Sequence, residues 1–174
     1  MSKNSNKSIS QEATLYNNIL LLSRNKLFYT KFNLIDSFQN RIHLIFFHIS
    51  FIFIKIRQES QNNIYKEFHQ KMFDLIFDKI EINMREIGYG DVSVNKNMKF
   101  LVKNFYSLLL KCEKYKKMDN KTKDLFFNNF LDIKTNKNSN NYMLIIDYFN
   151  KYEAFCFDLD HDSVLQGDLN FNFK

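Results

Sequence analysis

Residues 42–56 read IHLIFFHISFIFIKI, with eleven apolar and four polar positions in fifteen. Phe and Ile also favour β-strands, so the spacing of the polar residues must decide between strand and helix. Two sets of polar residues recur at intervals of seven: Arg41, His48 and Lys55, and then His43, Ser50 and Arg57. At about 100° per residue, each set forms one stripe along a helix, whereas a strand requires positions of a single parity. The pattern therefore predicts a helix.

The predicted helix runs from Asp36 to Arg57 and is the most apolar segment of the chain. It is too short to cross a membrane, which takes roughly 18 to 20 apolar residues, and it carries charges at both ends. We expect a central core helix that is buried on two flanks and has two thin polar edges. The alternative is a helix that lies in a membrane surface.

The other segments have apolar residues at steps of three and four, which is typical of amphipathic helices. The chain contains no Pro, so the breaks come at clusters of Asn, Ser, Asp and Gly. Gly88 is expected to end one helix in a left-handed conformation, and Asp91 or Ser93 to cap the next. The predicted helices are Leu15 to Ser23, Ile64 to Ile87, Val94 to Met118, Lys121 to Ile133 and Tyr142 to Leu159.

Together these segments predict an all-α fold, a single compact bundle of about six helices. A short disordered lead is expected over residues 1–10, one helical domain over residues 11–174, and an irregular C-terminal tail. At 174 residues the chain is long enough to bury one core and too short to favour two domains.

The positive charge is concentrated in residues 94–118, which hold seven Lys and one Glu, a balance of +6. The rest of the chain has 25 − 7 = 18 basic and 19 − 1 = 18 acidic residues, so this one helix accounts for the whole net charge. One interpretation is a solvated helix face; the other is a docking face for RNA or anionic lipid. Phe100 and Leu110 project among the lysines, which favours a protein or lipid partner over duplex nucleic acid.

The sequence offers little for catalysis or for metal binding. It has three Gly, no nucleophile or phosphate-loop motif, and two Cys without a metal-ligand spacing. His43 and His48 point in different directions on a helix, and we expect His48 to be a hydrogen-bonded core residue. His161 lies among acidic residues of the tail, which we interpret as a surface patch. We predict a protein that is not an enzyme and that holds no cofactor or metal.

Several ordered features resemble one known family. They begin with LYNNILLLSRNKLFY (residues 15–29) and with Arg41, His48 and Arg57 in the core helix. The most specific part is FDLIFDKIEINMREIGYGDVSVNKNMKFLVKNFYSLLLKCEKY (residues 73–115), followed by QGDLNF near the end. This set, over roughly residues 15 to 172, is similar to the chaperones that assemble ubiquinol–cytochrome c reductase. The matching structural positions are Arg41, His48, Arg57, Arg85, Gly88, Gly90 and Asp91.

The resemblance implies an all-helical protein that acts by binding newly made cytochrome b. It also implies contact with the ribosome near the tunnel exit and with an anionic membrane surface, and no binding to DNA. No presequence is evident, so the chain resembles an alphaproteobacterial member, cytoplasmic and peripheral to the inner membrane; eukaryotic relatives act at the mitochondrial inner membrane. We expect partners to bind at Lys96, Lys99, Phe100, Lys103, Tyr106, Leu110 and Lys114.

Two other functions remain open at this point. One is a helical protein that binds RNA or the ribosome and has no respiratory role. The other is a helical enzyme whose pocket carries no sequence motif.

Overall fold

The computed structural model describes residues 10–59, 62–134 and 142–173, and within them the all-α prediction is confirmed. These residues form eight α-helices and one short 3₁₀ helix, Tyr115–Lys117. The α-helices are α1 (Gln11–Ser23), α2 (Leu27–Thr30), α3 (Phe38–Glu59), α4 (Asn62–Glu86), α5 (Asp91–Cys112), α6 (Asn120–Asn128), α7 (Met143–Asp158) and α8 (His161–Gln166).

Helix α3 is the centre of the bundle and packs against α1, α4, α5, α7 and α8. Every residue from 42 to 56 is buried, including the four polar ones. The prediction of two thin polar edges is therefore wrong, and so is the placement of this helix in a membrane surface. Two of the four make hydrogen bonds with backbone carbonyls of neighbouring segments: Nδ1 of His43 meets the Phe130 carbonyl, and Nζ of Lys55 donates to the Phe157 carbonyl at 2.6 Å.

The core around α3 is largely aromatic, as expected of a chain with 20 Phe and no Trp. The Phe47 ring illustrates this, because it contacts rings from both α6 and α7. Its centroid lies 5.1 Å from that of Phe127 and 5.2 Å from that of Phe149. Aromatic pairs at such distances stabilise a core beyond the area that they bury. They fix α6 and α7 onto one side of α3.

Several boundaries differ from the predicted ones. Helix α5 ends at Cys112 instead of Met118, because the chain tightens into the 3₁₀ helix, a common way for an α-helix to end. The segment predicted as irregular tail contains α8. Of the predicted disordered lead, Ser10 caps α1 through its side chain, while residues 1–9 lie outside the described part.

Gly167 ends α8 with a left-handed backbone, at φ +88°, against the first turns of α1. A Cβ at this position would lie 2.9 Å from the Leu15 nitrogen and 3.0 Å from the Gln11 carbonyl oxygen. Asn18 donates a hydrogen bond of 2.7 Å to the Gly167 carbonyl. A residue without a side chain therefore lets the C-terminal segment pack closely on α1.

Replacing Gly167 by alanine is expected to lower the free energy of unfolding by about 3 kcal/mol, from left-handed strain and backbone overlap. Gly88→Ala is the matched control, because Gly88 is also left-handed, at φ +99°, but has nothing within 4 Å of its missing Cβ. We expect that variant to lose only about 1 kcal/mol in denaturant unfolding. Equal losses in both variants would show that contact with α1 does not require the glycine.

Candidate functional site

Helix α5 has one buried and one exposed side. Its buried residues are Val94, Leu101, Phe105, Leu108, Leu109 and Cys112, which recur at helical spacing and face the core. On the outer side Lys96, Lys99 and Lys103 are exposed. Three of the exposed apolar side chains of α5 lie among or just beyond these lysines along the helix: Phe100 at 53%, Tyr106 at 42% and Leu110 at 61%. We call these six outer residues the α5 face.

The lysines of the α5 face keep their charge unneutralised. Among the ion pairs of the described residues, none involves Lys96, Lys99 or Lys103. Lys111 is directed elsewhere, since its Nζ lies 5.0 Å from the ring centre of Phe130. Lys114 is exposed too, but it follows the end of α5 and precedes the 3₁₀ helix. The α5 face is therefore a row of cations interleaved with apolar groups.

A groove of about 560 Å³ borders the α5 face at its C-terminal end. It lies between the early turns of α4 and the last turns of α5, beside the end of α3. Its lining residues are Arg57, Tyr65, Lys66, His69, Gln70, Tyr106, Leu109, Leu110 and Glu113. We call it the α4–α5 groove. Tyr106 and Leu110 belong to both surfaces, so the groove and the face are continuous.

Aromatic rings form one wall of the groove. The His69 ring lies 4.4 Å from that of Phe53 and is stacked with Tyr106 at 6.4 Å. Tyr106 is also stacked with Phe73 at 5.8 Å. Burial lowers the pKa of His69, and the nearby Arg57 guanidinium lowers it further, so the imidazole is neutral at neutral pH. The wall is therefore aromatic and uncharged.

Only part of this groove coincides with the predicted binding residues. Tyr106 and Leu110 were predicted as binding residues, whereas Tyr65, Lys66 and His69 were not. The missed signal is the four-residue step from Tyr65 to His69, which places both rings on one side of α4. The structure shows Tyr65 half-buried in the groove wall.

Arg57 and Glu113 close one end of the groove with a salt bridge of 2.7 Å between Nη2 and Oε1. The bridge joins the end of α3 to the residue after α5. Both side chains are partly exposed, so we assign the bridge little stability. In the groove, the bridge holds the Glu113 carboxylate on the Arg57 guanidinium. Lys66, the other cation that lines the groove, is therefore not neutralised by Glu113.

Apart from Arg57, the positions that match the family resemblance lie away from the groove. Arg41 makes a bidentate pair with Asp36, at 2.6 and 2.8 Å. Arg85 bonds Glu81 at 2.9 Å and also Asp91 across the α4–α5 turn, which is at the opposite end of α5 from the groove.

The α4–α5 turn contains both predicted glycines. Gly88 is left-handed as predicted, but Gly90 is the N-cap of α5, so the predicted cap at Asp91 or Ser93 is wrong. Asp91 is the first residue of the helix and has its carboxylate on Arg85 instead. The turn therefore joins α4 to α5 and is not part of the groove.

His48 lies in the core. Its Nδ1–H donates to the Leu44 carbonyl at 2.6 Å, which leaves Nε2 to accept a bond of 2.8 Å from the Tyr148 hydroxyl. Burial lowers the pKa of His48 to about 4. The prediction of a hydrogen-bonded core histidine is therefore confirmed. The bond to Tyr148 joins α3 to α7.

In the described part of the chain, no three His, Cys, Asp or Glu residues are placed to hold a metal ion. Across the same residues, none of the helices combines the length and the apolar character needed to cross a membrane.

Comparison with known proteins gave one family and one related structure. A family model described as Ubiquinol-cytochrome C chaperone matches residues 30–171, which include the α5 face and the α4–α5 groove. The crystal structure of the Cbp3 homolog from Brucella abortus has a TM-score of 0.78 and 19% identity, covering 94% of this chain and 89% of that chain. At that identity the likeness shows a shared fold alone. No curated protein matches the chain.

Proposed function

The chain belongs to the ubiquinol–cytochrome c chaperone family, and from that premise we propose that it binds newly made cytochrome b and assists assembly of ubiquinol–cytochrome c reductase. It does so by binding and catalyses no reaction. The observation that carries this proposal is the α5 face, where unneutralised lysines alternate with exposed apolar side chains.

The α5 face has the two properties that a chaperone for a membrane subunit needs. Apolar client segments are penalised in water, and exposed groups such as Phe100 and Leu110 shield them by removing apolar area from solvent. Lys96, Lys99 and Lys103 attract phosphates, which occur both in anionic lipid headgroups and in ribosomal RNA. We therefore propose that the protein acts at the cytoplasmic surface of an inner membrane, where the client is inserted.

Reversing three charges tests this proposal. The variant Lys96→Glu/Lys99→Glu/Lys103→Glu should bind phosphatidylglycerol vesicles at least about 100-fold more weakly, since each lysine near an anionic surface contributes about 1 kcal/mol. In pull-downs from solubilised membranes, the unaltered chain should retain newly made cytochrome b and the variant should lose it. The thermal melt should not change, because all three side chains are exposed.

The matched control is Lys31→Glu/Lys79→Glu/Lys121→Glu, which makes the same change in net charge at three exposed positions off the α5 face. It should keep both activities. Failure of the unaltered chain to retain cytochrome b would refute the proposal, and equal losses in both triple variants would show that only net charge matters.

The lysines of the α5 face would also suit a protein that binds ribosomal RNA and has no respiratory role. Deleting the gene separates the two functions. Loss of the cytochrome b spectrum and of ubiquinol–cytochrome c reductase activity, with normal translation, supports the chaperone. A general defect in translation supports the alternative.

A further inference from the structure

The α4–α5 groove has a composition that points to one kind of ligand. Its lining includes the rings of Tyr65 and His69, and Tyr106 and Leu110 at its edge are 42% and 61% exposed. Exposed apolar side chains that cluster at a concave surface usually mark a binding site. We propose that the α4–α5 groove binds an acidic amphipathic helix. This inference rests on the proposed function and names the chemistry of the protein segment that is held there.

The walls of the groove determine the backbone conformation of the ligand. Both walls are helices, α4 and α5, whose interior amide and carbonyl groups already bond to each other. An extended peptide would find no free strand edge here, and its own backbone groups would be left without partners on the protein side. A helix satisfies its backbone internally and presents only side chains. The groove therefore favours the helix-in-groove mode of recognition.

The charges around the groove determine the sign of the charge that the ligand must carry. Arg57 is engaged by Glu113, whereas Lys66 is exposed and makes no ion pair within the described residues. Lys103 is also exposed and precedes Tyr106 by three residues, or about one turn of α5. Carboxylates on the flanks of the ligand would meet these cations, and lysines would be repelled. The apolar stripe of the ligand would cover Leu110, Tyr106 and Tyr65.

The test uses the purified full chain and three fluorescent peptides of equal length. One is a helix with an apolar stripe and Glu on its flanks; the second has Lys in place of Glu; the third has the residues of the first in scrambled order. We expect the acidic amphipathic peptide to bind at least about tenfold more tightly than either of the others. Its affinity should fall as salt is added, because the rim lysines are exposed to solvent.

Two substitutions locate the binding in the groove. Leu110→Asp should weaken binding about tenfold or more, since it places a carboxylate where apolar contact is expected. Lys66→Glu should weaken it several-fold and remove most of the salt dependence. The matched controls are Leu21→Asp, at an apolar residue of α1 that is 72% exposed, and Lys79→Glu, on α4 but outside the groove. Neither control should change the affinity.

Equal binding of the three peptides, or an unchanged affinity in Leu110→Asp, would overturn the inference. So would a single-stranded RNA oligonucleotide that binds more tightly than the acidic peptide and is lost in the same variants. The outcome is separable from the proposed function. If the chain retains cytochrome b in pull-downs but does not prefer the acidic peptide, the groove assignment fails alone; peptide preference without cytochrome b retention supports the groove and refutes the proposed client.

Discussion

Replacing Asn40 by alanine is expected to lower the free energy of unfolding by about 3 kcal/mol. Asn40 is completely buried in the first turn of α3, and its amide clamps two other segments onto that helix. Its Nδ2 donates to the carbonyls of Ile35 and Asp132, both at 2.8 Å, and its Oδ1 accepts from the Asp132 amide at 2.9 Å. Alanine would remove all three hydrogen bonds, each contributing about 0.5–1.5 kcal/mol, and would leave the Asp132 amide without its partner, while the two carbonyls keep backbone bonds from Ser37 and Ile35.

This loss is large against the 5–15 kcal/mol that stabilises a typical domain. Chemical unfolding at neutral pH measures it, with Asn17→Ala as the control. Asn17 is exposed on α1, so its replacement should change stability by no more than about 0.5 kcal/mol. A cost below about 1 kcal/mol for Asn40→Ala would mean that the clamp contributes little.

The second large effect is a loss of stability in acid that depends on His48. Burial lowers the pKa of His48 to about 4 from an ordinary value of 6.5, so the unfolded chain takes up a proton in this interval and the folded chain does not. Stability is therefore complete above pH 6.5 and falls as the pH is lowered toward 4, by about 3 kcal/mol in total. Nε2 of His48 accepts a hydrogen bond from the buried Tyr148 hydroxyl, and this bond does not offset the loss of stability.

Other groups also titrate in acid, so the measurement must be a difference between two chains. His48→Gln keeps a neutral polar side chain that does not titrate, and the other groups are common to both proteins. We expect the variant to be less stable than the unaltered chain at neutral pH and to lose about 3 kcal/mol less between about pH 7 and pH 4. Parallel pH profiles of the two chains would show that His48 does not cause the acid loss.

The helices could be predicted because their signal is local. Apolar residues at steps of three and four in α4 and α5, and a polar period of seven in α3, specify a helix without knowledge of its neighbours. The exposed lysines of α5 followed from the same periodicity. Ile87 shows the limit, since it continues the apolar pattern of α4 and is nevertheless 58% exposed, just beyond the end of that helix.

The pairing of segments could not be predicted in the same way. The chain has 23 Asn, and nothing in the sequence distinguishes Asn40 from the others, because its partner at Asp132 is distant along the chain. The α4–α5 groove is a similar case. Its cationic and aromatic residues come from the end of α3, the start of α4 and the end of α5, and no single stretch contains them.

The sequence by itself determined the class of fold, the position of the central helix and the concentration of charge on α5. These are properties of consecutive residues on one helix, where side-chain direction follows from the 3.6-residue period. Only the tertiary structure decided that the polar residues of α3 are buried, that Asn40 joins three segments, and that a groove borders the α5 face. Each of these depends on which helix lies beside which, and that choice is made by burial and hydrogen bonding between residues far apart in the chain.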